Sequence, residues 1–336
     1  MEYDLIVVGN GIAASVLLFY FFQDPKNSHL KVAQIYEDNL FPPCSLSSTA
    51  TVSLNGVEEG VSPIGNDLRA AFFEFSYFVE KYKPEGVFKI KQFLTFTNEK
   101  YKGKMLRRFK KIENHNCEYL KNKEGMCLDS FAISPTLYLN WLTKENSKHS
   151  LERISAVVEK FCEVNGDGLE VILKNKKSLM GKKIVFATGA YSEIHSHFEE
   201  MNWASHSEIL AGSYLEKKIN LNCDSFKLTI DESNLIYRSV ENTLLLGTAP
   251  SIGPVFLPDL LALKKIYLHF QNNINFDLGD FYDFKIHTGL RHKGIKRRSL
   301  MIPLNESKSA FLINGFYKNG FSLANLYGKK FLVENS

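Results

Sequence analysis

The sequence predicts an α/β protein that begins with a nucleotide-binding strand, turn and helix. Three observations carry this. The apolar run at residues 5–8 breaks at Gly9 and Gly11, and residues 12–22 then carry no charge. A second strand-like run at 31–36 ends on Glu37, and a third at 184–187 runs into Thr188-Gly189-Ala190. Strand-like and helix-like segments interleave along the rest of the chain, without a low-complexity linker or an internal repeat.

The opening MEYDLIVVGNGIAAS has the spacing G-x-G-x-x-A, with Gly9, Gly11 and Ala14 in the marked places. Such a turn needs the first glycine for its tightness, the second so that backbone can approach a pyrophosphate, and the third small residue so that helix and strand pack closely. Free N–H groups and the helix dipole then favour an anion. Glu37 follows at roughly the separation where such units place a carboxylate against ribose hydroxyls. The alternative is a ligand-free strand, turn and helix with a surface Glu.

With 336 residues, 44% of them hydrophobic and 23% charged, the chain can build one large core or two modest ones. A formal charge of +4 does not by itself point to nucleic acid. The five cysteines form no CxxC pair, which reads as free thiols in a reducing compartment and gives no metal pattern. The charge-free stretch is about long enough to span a bilayer. However, Glu2 and Asp4 precede it and two glycines fall inside, so a buried strand and helix of a cytoplasmic protein is expected.

After Glu37 comes FPPCSLSSTATVSLNG, a Pro-ended turn followed by small hydroxylated residues. Ser47, Ser48, Thr49 and Thr51 can donate hydrogen bonds to a phosphate or a flavin edge, or can simply form a polar surface loop. Residues 67–81 have the apolar spacing of a core helix. Residues 100–111 (KYKGKMLRRFKK) read as a basic, solvated helix face, with contact to an anionic surface as the alternative. Residues 151–173 alternate as strands around an Asn165-Gly166 turn. The end of the chain reads as a strand, a Gly-punctuated loop and a helix starting near Gly320, which is a second helix N-terminus preceded by glycines.

In this order the pieces resemble the FAD-dependent D-amino-acid oxidase superfamily, above all its glycine-oxidase and sarcosine-oxidase branch. VVGNGIAAS with Glu37 is similar to the family's ADP-binding unit, SLSSTATVS to its Ser/Ala-rich loop and IVFATGAYS to its "ATG" strand. GLR followed by NGFYKNGFSLA is similar to its closing flavin-contact segments. The similarity runs, with gaps, over nearly the whole chain.

The resemblance implies a Rossmann-like FAD-binding domain (1–84, 132–208 and 288–336) interleaved with a β-rich α+β substrate domain (85–131 and 209–287). TLLLGTAP would be a strand of the second. It implies noncovalent FAD, with Cys44 the thiol nearest the Ser/Thr loop. It places cofactor contacts at Gly9, Gly11, Ile12, Ala13, Ala14, Glu37, Ser47, Ser48 and Thr49. Further contacts fall at Thr188, Gly189, Gly315, Lys318, Asn319, Gly320 and Phe321.

The implied reaction is oxidation of the C–N bond of an amino acid or related amine by hydride transfer to flavin, with the resulting imine hydrolysed by water. Arg291 falls on the family's carboxylate-binding Arg, and Lys318 stands where close relatives carry a second Arg. Tyr237 is a loose counterpart of an expected tyrosine, and His287 and His292 are acid–base candidates. HKGIKRRSLMIP departs from the family by adding four bases and removing an acid. That departure keeps two alternatives open: a flavin-fold binding or partner protein with reduced catalysis, and an FAD-dependent oxidase of a modified tRNA nucleoside. Substrate, electron acceptor and oligomeric state are not legible.

Overall fold

The structure is a computed structural model that describes residues 2–37, 44–54, 63–97, 99–103, 117–121, 125–164, 168–190, 208–251, 257–294 and 297–335. Their strands form two sheets of eight strands each. The first sheet contains β1 (Glu2–Val8), β2 (Val32–Tyr36), β6 (Leu151–Ser155), β7 (Val158–Val164), β8 (Gly168–Leu173), β9 (Ser178–Phe186), β15 (Leu300–Pro303) and β16 (Ala310–Asn314). Its order is β15-β16-β9-β1-β2-β6, parallel from β16 to β6, with the β7–β8 hairpin joined to the first half of β9.

This sheet is buried on both faces, which explains the unbroken apolar run of β1. Leu5 and Val7 pack on the helix side, with Val185, Phe311 and Ile313. Ile6 and Val8 pack on the other side, with Ile184, Phe186 and Val171 of the hairpin. A strand covered on both faces has no polar alternation to show.

Helix α1 (Ile12–Gln23) is buried around almost its whole circumference, which accounts for its lack of charge. It packs against α3 (Pro135–Asn146) and α5 (Gly320–Asn335). Phe19 meets Trp141 at 5.3 Å and Phe78 of α2 (Pro63–Tyr82) at 5.3 Å between ring centroids. A Cβ at Gly328 would lie 3.4 Å from Leu17 Cα, so α5 sits almost backbone to backbone on α1. The helix expected at 67–81 is this α2, extended at its start.

The second sheet has the order β14-β10-β13-β12-β11-β4-β5-β3. Its strands are β3 (Thr51–Ser53), β4 (Val87–Thr95), β5 (Met126–Ile133), β10 (Glu208–Lys218), β11 (Phe226–Ile230), β12 (Ser233–Arg238), β13 (Thr243–Ser251) and β14 (Lys285–Lys293). TLLLGTAP is β13, an interior strand of this sheet. One face carries Leu215, Phe226, Leu228, Leu235 and Leu246 under α4 (Leu260–Asn273). The alternate residues face the other way, where a buried apolar cluster of Ile90, Ala132, Tyr214, Ile236 and Leu245 adjoins the buried polar side chains of Gln92, Lys227, Thr229 and Arg238.

The Ser/Thr segment is a strap between the sheets rather than a surface loop. Ser45 Oγ accepts a hydrogen bond from Ile12 N at 3.0 Å, on the first sheet's side. Thr49 O accepts from Arg238 Nη2 at 2.9 Å on the second sheet's side. Its end, Thr51–Ser53, becomes β3 and pairs with β5. The Asn165-Gly166 turn lies outside the described residues, while the two strands that flank it pair as expected.

Gly9 is required by the fold itself. Its φ is +128°, and a Cβ there would stand 2.4 Å from the carbonyl oxygen of Ala187, where β9 ends beside β1. Gly9→Ala is therefore expected to destabilise the flavin-stripped protein by roughly 2–4 kcal/mol, combining backbone strain with overpacking. A urea unfolding midpoint unchanged from wild type would contradict this origin of the glycine.

Candidate dinucleotide and substrate cavity

At the carboxyl ends of the parallel strands lies a cavity of about 430 Å³. The chain leaves β1 toward β2 on one side, while β9 flanks it on the other. That is the position where open parallel sheets bind ligands. One end is walled by Tyr36, Glu37 and Ala156, the middle by Gly9–Ile12 and Ala187–Gly189, and the other end by Arg291, Lys227 and Lys318. From β6 to β16 the cavity crosses four strand spacings, about 19 Å, a length that suits an extended dinucleotide.

Two helix N-termini meet at the middle of this cavity. Ile12 opens α1, and its Cγ2 lies 3.3 Å from where a Cβ of Gly320, the first residue of α5, would be. The partial positive ends of both dipoles therefore reach the same space. Gly11 differs from Gly9: its φ is −75°, and a Cβ would meet only Ser45 Oγ, at 3.4 Å. The protein leaves room above Gly11 that it does not itself fill.

Side chains that the sequence did not single out brace the turns. Gln34 Nε2 donates to Gly9 O at 2.9 Å, and Asn314 Nδ2 donates to Gly189 O at 2.9 Å. Both are amides inside apolar strands, a signal available in VAQIY and AFLIN but of no evident direction before the pairing is known. Thr188 Oγ1 is buried on the wall without a hydrogen-bond partner among the described residues. An unsatisfied hydroxyl, an open glycine and two helix N-termini together fit a bound dinucleotide such as FAD.

Most of the expected contact residues reach the cavity: Gly9, Gly11, Ile12, Ala13, Glu37, Ser48, Thr49, Thr188, Gly189, Lys318, Asn319, Gly320 and Phe321 line it. Three do not. Ala14 is fully buried in the helix packing. Ser47 is packed under Gly289, whose Cβ would come within 2.8 Å of its own. Gly315 shapes the loop before α5 through a φ of +77°.

At the substrate end, Arg291 is 6% exposed, and its guanidinium lies over Gly212, where any Cβ would come within 2.8 Å of Cζ. No carboxylate among the described residues forms a salt bridge with it. Burial and the neighbouring Arg291 and Arg297 hold the Lys318 ammonium below the usual lysine range, so the two expected cations are brought together. The Cys44 thiol also lines this end, and burial pushes its pKa up against the opposing pull of Arg291. A thiol kept protonated is a poor nucleophile.

Tyr237 is not brought to the cavity. It shares strand parity with Leu235, so it points into the α4 core, where its hydroxyl accepts from Leu221 N at 3.2 Å. Asn234 of the same strand, on the opposite face, is the residue that reaches the wall. The histidines divide as well. His292 lines the cavity, whereas His287 stacks on Tyr214 at 5.0 Å with Nε2 3.2 Å from Glu216 Oε2.

Lys227 was not anticipated. It is 5% exposed on the polar face of β11, lines the cavity, and donates to Thr51 Oγ1 at 3.1 Å. Its neighbours on that face, Gln92, Thr229 and Ile236, carry no charge, and burial lowers its pKa to about 8. The signal was a single Lys inside the strand FKLTI, but sequence alone cannot say which face it takes.

No protein-family model matches the sequence, and neither does any curated protein. Solved structures do match in fold. Glycine oxidase from Geobacillus kaustophilus superposes with a TM-score of 0.80 over 100% of this chain and 95% of its own, at 14% identity. L-proline dehydrogenase from P. horikoshii gives 0.81 over 100% and 94%, at 11% identity. L-α-glycerophosphate oxidase from Mycoplasma pneumoniae, solved with FAD bound, gives 0.75 over 99% and 94%, at 16% identity. The chain thus shares the fold of these oxidases and this dehydrogenase over its whole length. No described helix is long and apolar enough to cross a membrane.

The buried Lys227 ammonium has a measurable consequence. Its pKa is lower in the folded than in the unfolded chain, so its cost to stability is fully present below pH 8 and is relieved as pH rises from about 8 toward 10.5. At about 1.4 kcal/mol per unit, that cost is roughly 3 kcal/mol at neutral pH. Lys227→Met is expected to raise the unfolding midpoint below pH 8, with the gain shrinking above it. A gain that is flat from pH 7 to 10 would contradict the assignment.

Proposed function

We propose that the chain is an FAD-dependent oxidoreductase that oxidises the C–N bond of an amino acid or related amine, with noncovalently bound FAD. The observation that carries this is one continuous cavity, with Glu37 at one end, the Gly9–Gly11 turn in the middle and, at the other end, a buried Arg291 with which no carboxylate among the described residues forms a salt bridge. Fold likeness to a glycine oxidase and an L-proline dehydrogenase supports it.

In this reading Glu37 accepts ribose hydroxyls, and the α1 N-terminus with the Thr188 hydroxyl holds the pyrophosphate region. Bound FAD supplies the two-electron acceptor for the substrate carbon. The α5 N-terminus places partial positive charge where the flavin ring would accumulate electrons. Arg291 grips the substrate carboxylate through its planar fork, and Lys318 adds a point charge beside it. Cys44 and Leu290 shield this pair from water, which strengthens it. Asn234 and Thr248 stand on the same wall as hydrogen-bonding groups able to orient the amine. Of the basic runs 100–111 and 293–298 behind the tRNA reading, residues 104–111 of the first and 295–296 of the second lie outside the described residues. A partner-protein role predicts bound flavin that no amine reduces.

Purified protein is expected to show a flavin spectrum that bleaches anaerobically with a member of an amine and amino-acid panel. Acid precipitation is expected to release the colour into the supernatant. Gly11→Ala separates the ligand from the fold: it should leave the unfolding midpoint of flavin-free protein nearly unchanged while flavin retention falls at least about tenfold, because within the protein the new methyl group meets only Ser45 Oγ, at 3.4 Å, whereas a bound pyrophosphate would collide with it. Full retention would remove FAD from this turn.

Arg291→Ala should lower kcat/KM for a carboxylate substrate by one to a few powers of ten, roughly, with FAD content unchanged. Arg291→Lys should restore only part of it. Turnover indifferent to Arg291→Ala would move the substrate to uncharged amines.

A further inference from the structure

The substrate end of the cavity holds more positive charge than one carboxylate needs. Arg291, Lys318 and Lys227 all line it, while the one acidic side chain among its described lining residues is Glu37, toward the other end. Arg291 and Lys318 adjoin each other, and Lys227 stands apart from them. It rises from β11, four strands from the β14 strand of Arg291 in the order β14-β10-β13-β12-β11. The two strand axes are about 19 Å apart along the sheet, and both side chains line the one cavity that this face bounds. Asn234 and Thr248, from the strands between them, supply hydrogen-bonding groups along the floor.

Among the described residues Lys227 has no charged partner that would explain its burial structurally. Thr51 Oγ1 is a neutral acceptor, and no carboxylate among the described residues forms a salt bridge with the amine. Arg238, the next residue on this face of β12 beyond Ile236, which pairs with Lys227, shows the contrast: Glu241 Oε2 stands 3.3 Å from its Nη1. A buried ammonium without a counter-ion is costly, and an arriving anion removes that cost.

Resting on the oxidoreductase reading above, we infer that the cavity takes a two-ended anion: an amino acid or related molecule with one acidic group at Arg291 and a second, carboxylate or phosphate, at Lys227. Lys227 is then the residue that selects for the second acidic group. The carbon that is oxidised lies between the two grips, so neither end can swing away from the flavin.

Purified protein is titrated by calorimetry with butyrate, with succinate, glutarate and adipate, and with 3-phosphonopropionate, while the visible spectrum of the flavin is followed in parallel. At least one two-ended ligand is expected to bind roughly tenfold to a hundredfold more tightly than butyrate, as one charge-assisted contact gives. The carboxylate and phosphonate arms tell which acidic group Lys227 prefers. Lys227→Met should abolish that advantage and leave butyrate affinity within about twofold, whereas Arg291→Ala should weaken every ligand.

Two-ended ligands that bind wild type no better than butyrate would overturn the inference without any variant. So would a Lys227→Met protein in which both classes weaken alike. Should that variant fold poorly, Lys227→Gln makes the same comparison. Protein without flavin that cannot take it up would instead sink the oxidoreductase reading, and calorimetry still decides the role of Lys227.

Discussion

The two sheets face each other across the cavity because one buried guanidinium ties them together. Arg238, 5% exposed, reaches from β12 to the carbonyl of Thr49 and so fixes the strap that runs back to the start of α1. Glu241 balances its charge, and the Ser134 hydroxyl donates to Glu241 at the head of α3, which in turn packs on α1. A charge this deeply buried is tolerated only while its partners stay in place, so the network keeps both halves in one arrangement. The hydroxylated segment looked from sequence like a set of ligand contacts. Part of it is first of all mechanical: it holds the roof and floor of the site in register.

That arrangement gives the cavity a directional electrostatic character. Partial charges from two helix ends meet in its middle, and full cations accumulate toward one end in a nearly dry environment. Helix ends keep their charge at any pH, because they are backbone dipoles. The side-chain cations do not. Burial weakens the hold of Lys227 and Lys318 on their protons. A ligand that brings negative charge to the lysines restores what burial removed, so binding and proton affinity are coupled there.

The same face of the second sheet shows how stability yields to function. Along β11, Phe226, Leu228 and Ile230 build the α4 core, while Lys227 and Thr229 alternate with them onto the cavity side. Apolar residues in both registers would give a stronger sheet, and the chain places buried polar groups there instead. Gln92 Nε2 satisfies Thr229 Oγ1 at 2.9 Å, and Thr229 Oγ1 in turn reaches Asn234 Oδ1 at 2.9 Å. Lys227 stays outside that chain of hydrogen bonds and donates to Thr51 Oγ1 instead. Such a departure from core chemistry is expected where a surface is built for a ligand rather than for packing.

Much of this was legible in the residues themselves, wherever a local rule decides the outcome. An apolar run without alternation means a strand covered on both sides, a charge-free helix means one enclosed by its neighbours, and glycine at Gly9 means backbone that no other residue can adopt. These are short-range constraints, and β1, α1, the Thr188-Gly189 turn and the helix at Gly320 all followed from them. Tyr237 and Lys227 obey a different logic. Their roles depend on which face of a strand each takes, and a shift of one residue exchanges core for cavity. That parity is set by pairing with β4, β11 and β13, which come from distant parts of the chain. The sequence alone determined the strand, turn and helix units and the kind of ligand their ends favour; only the tertiary structure decided which side chains look into the space between the sheets, because register is a property of paired strands and not of any one of them.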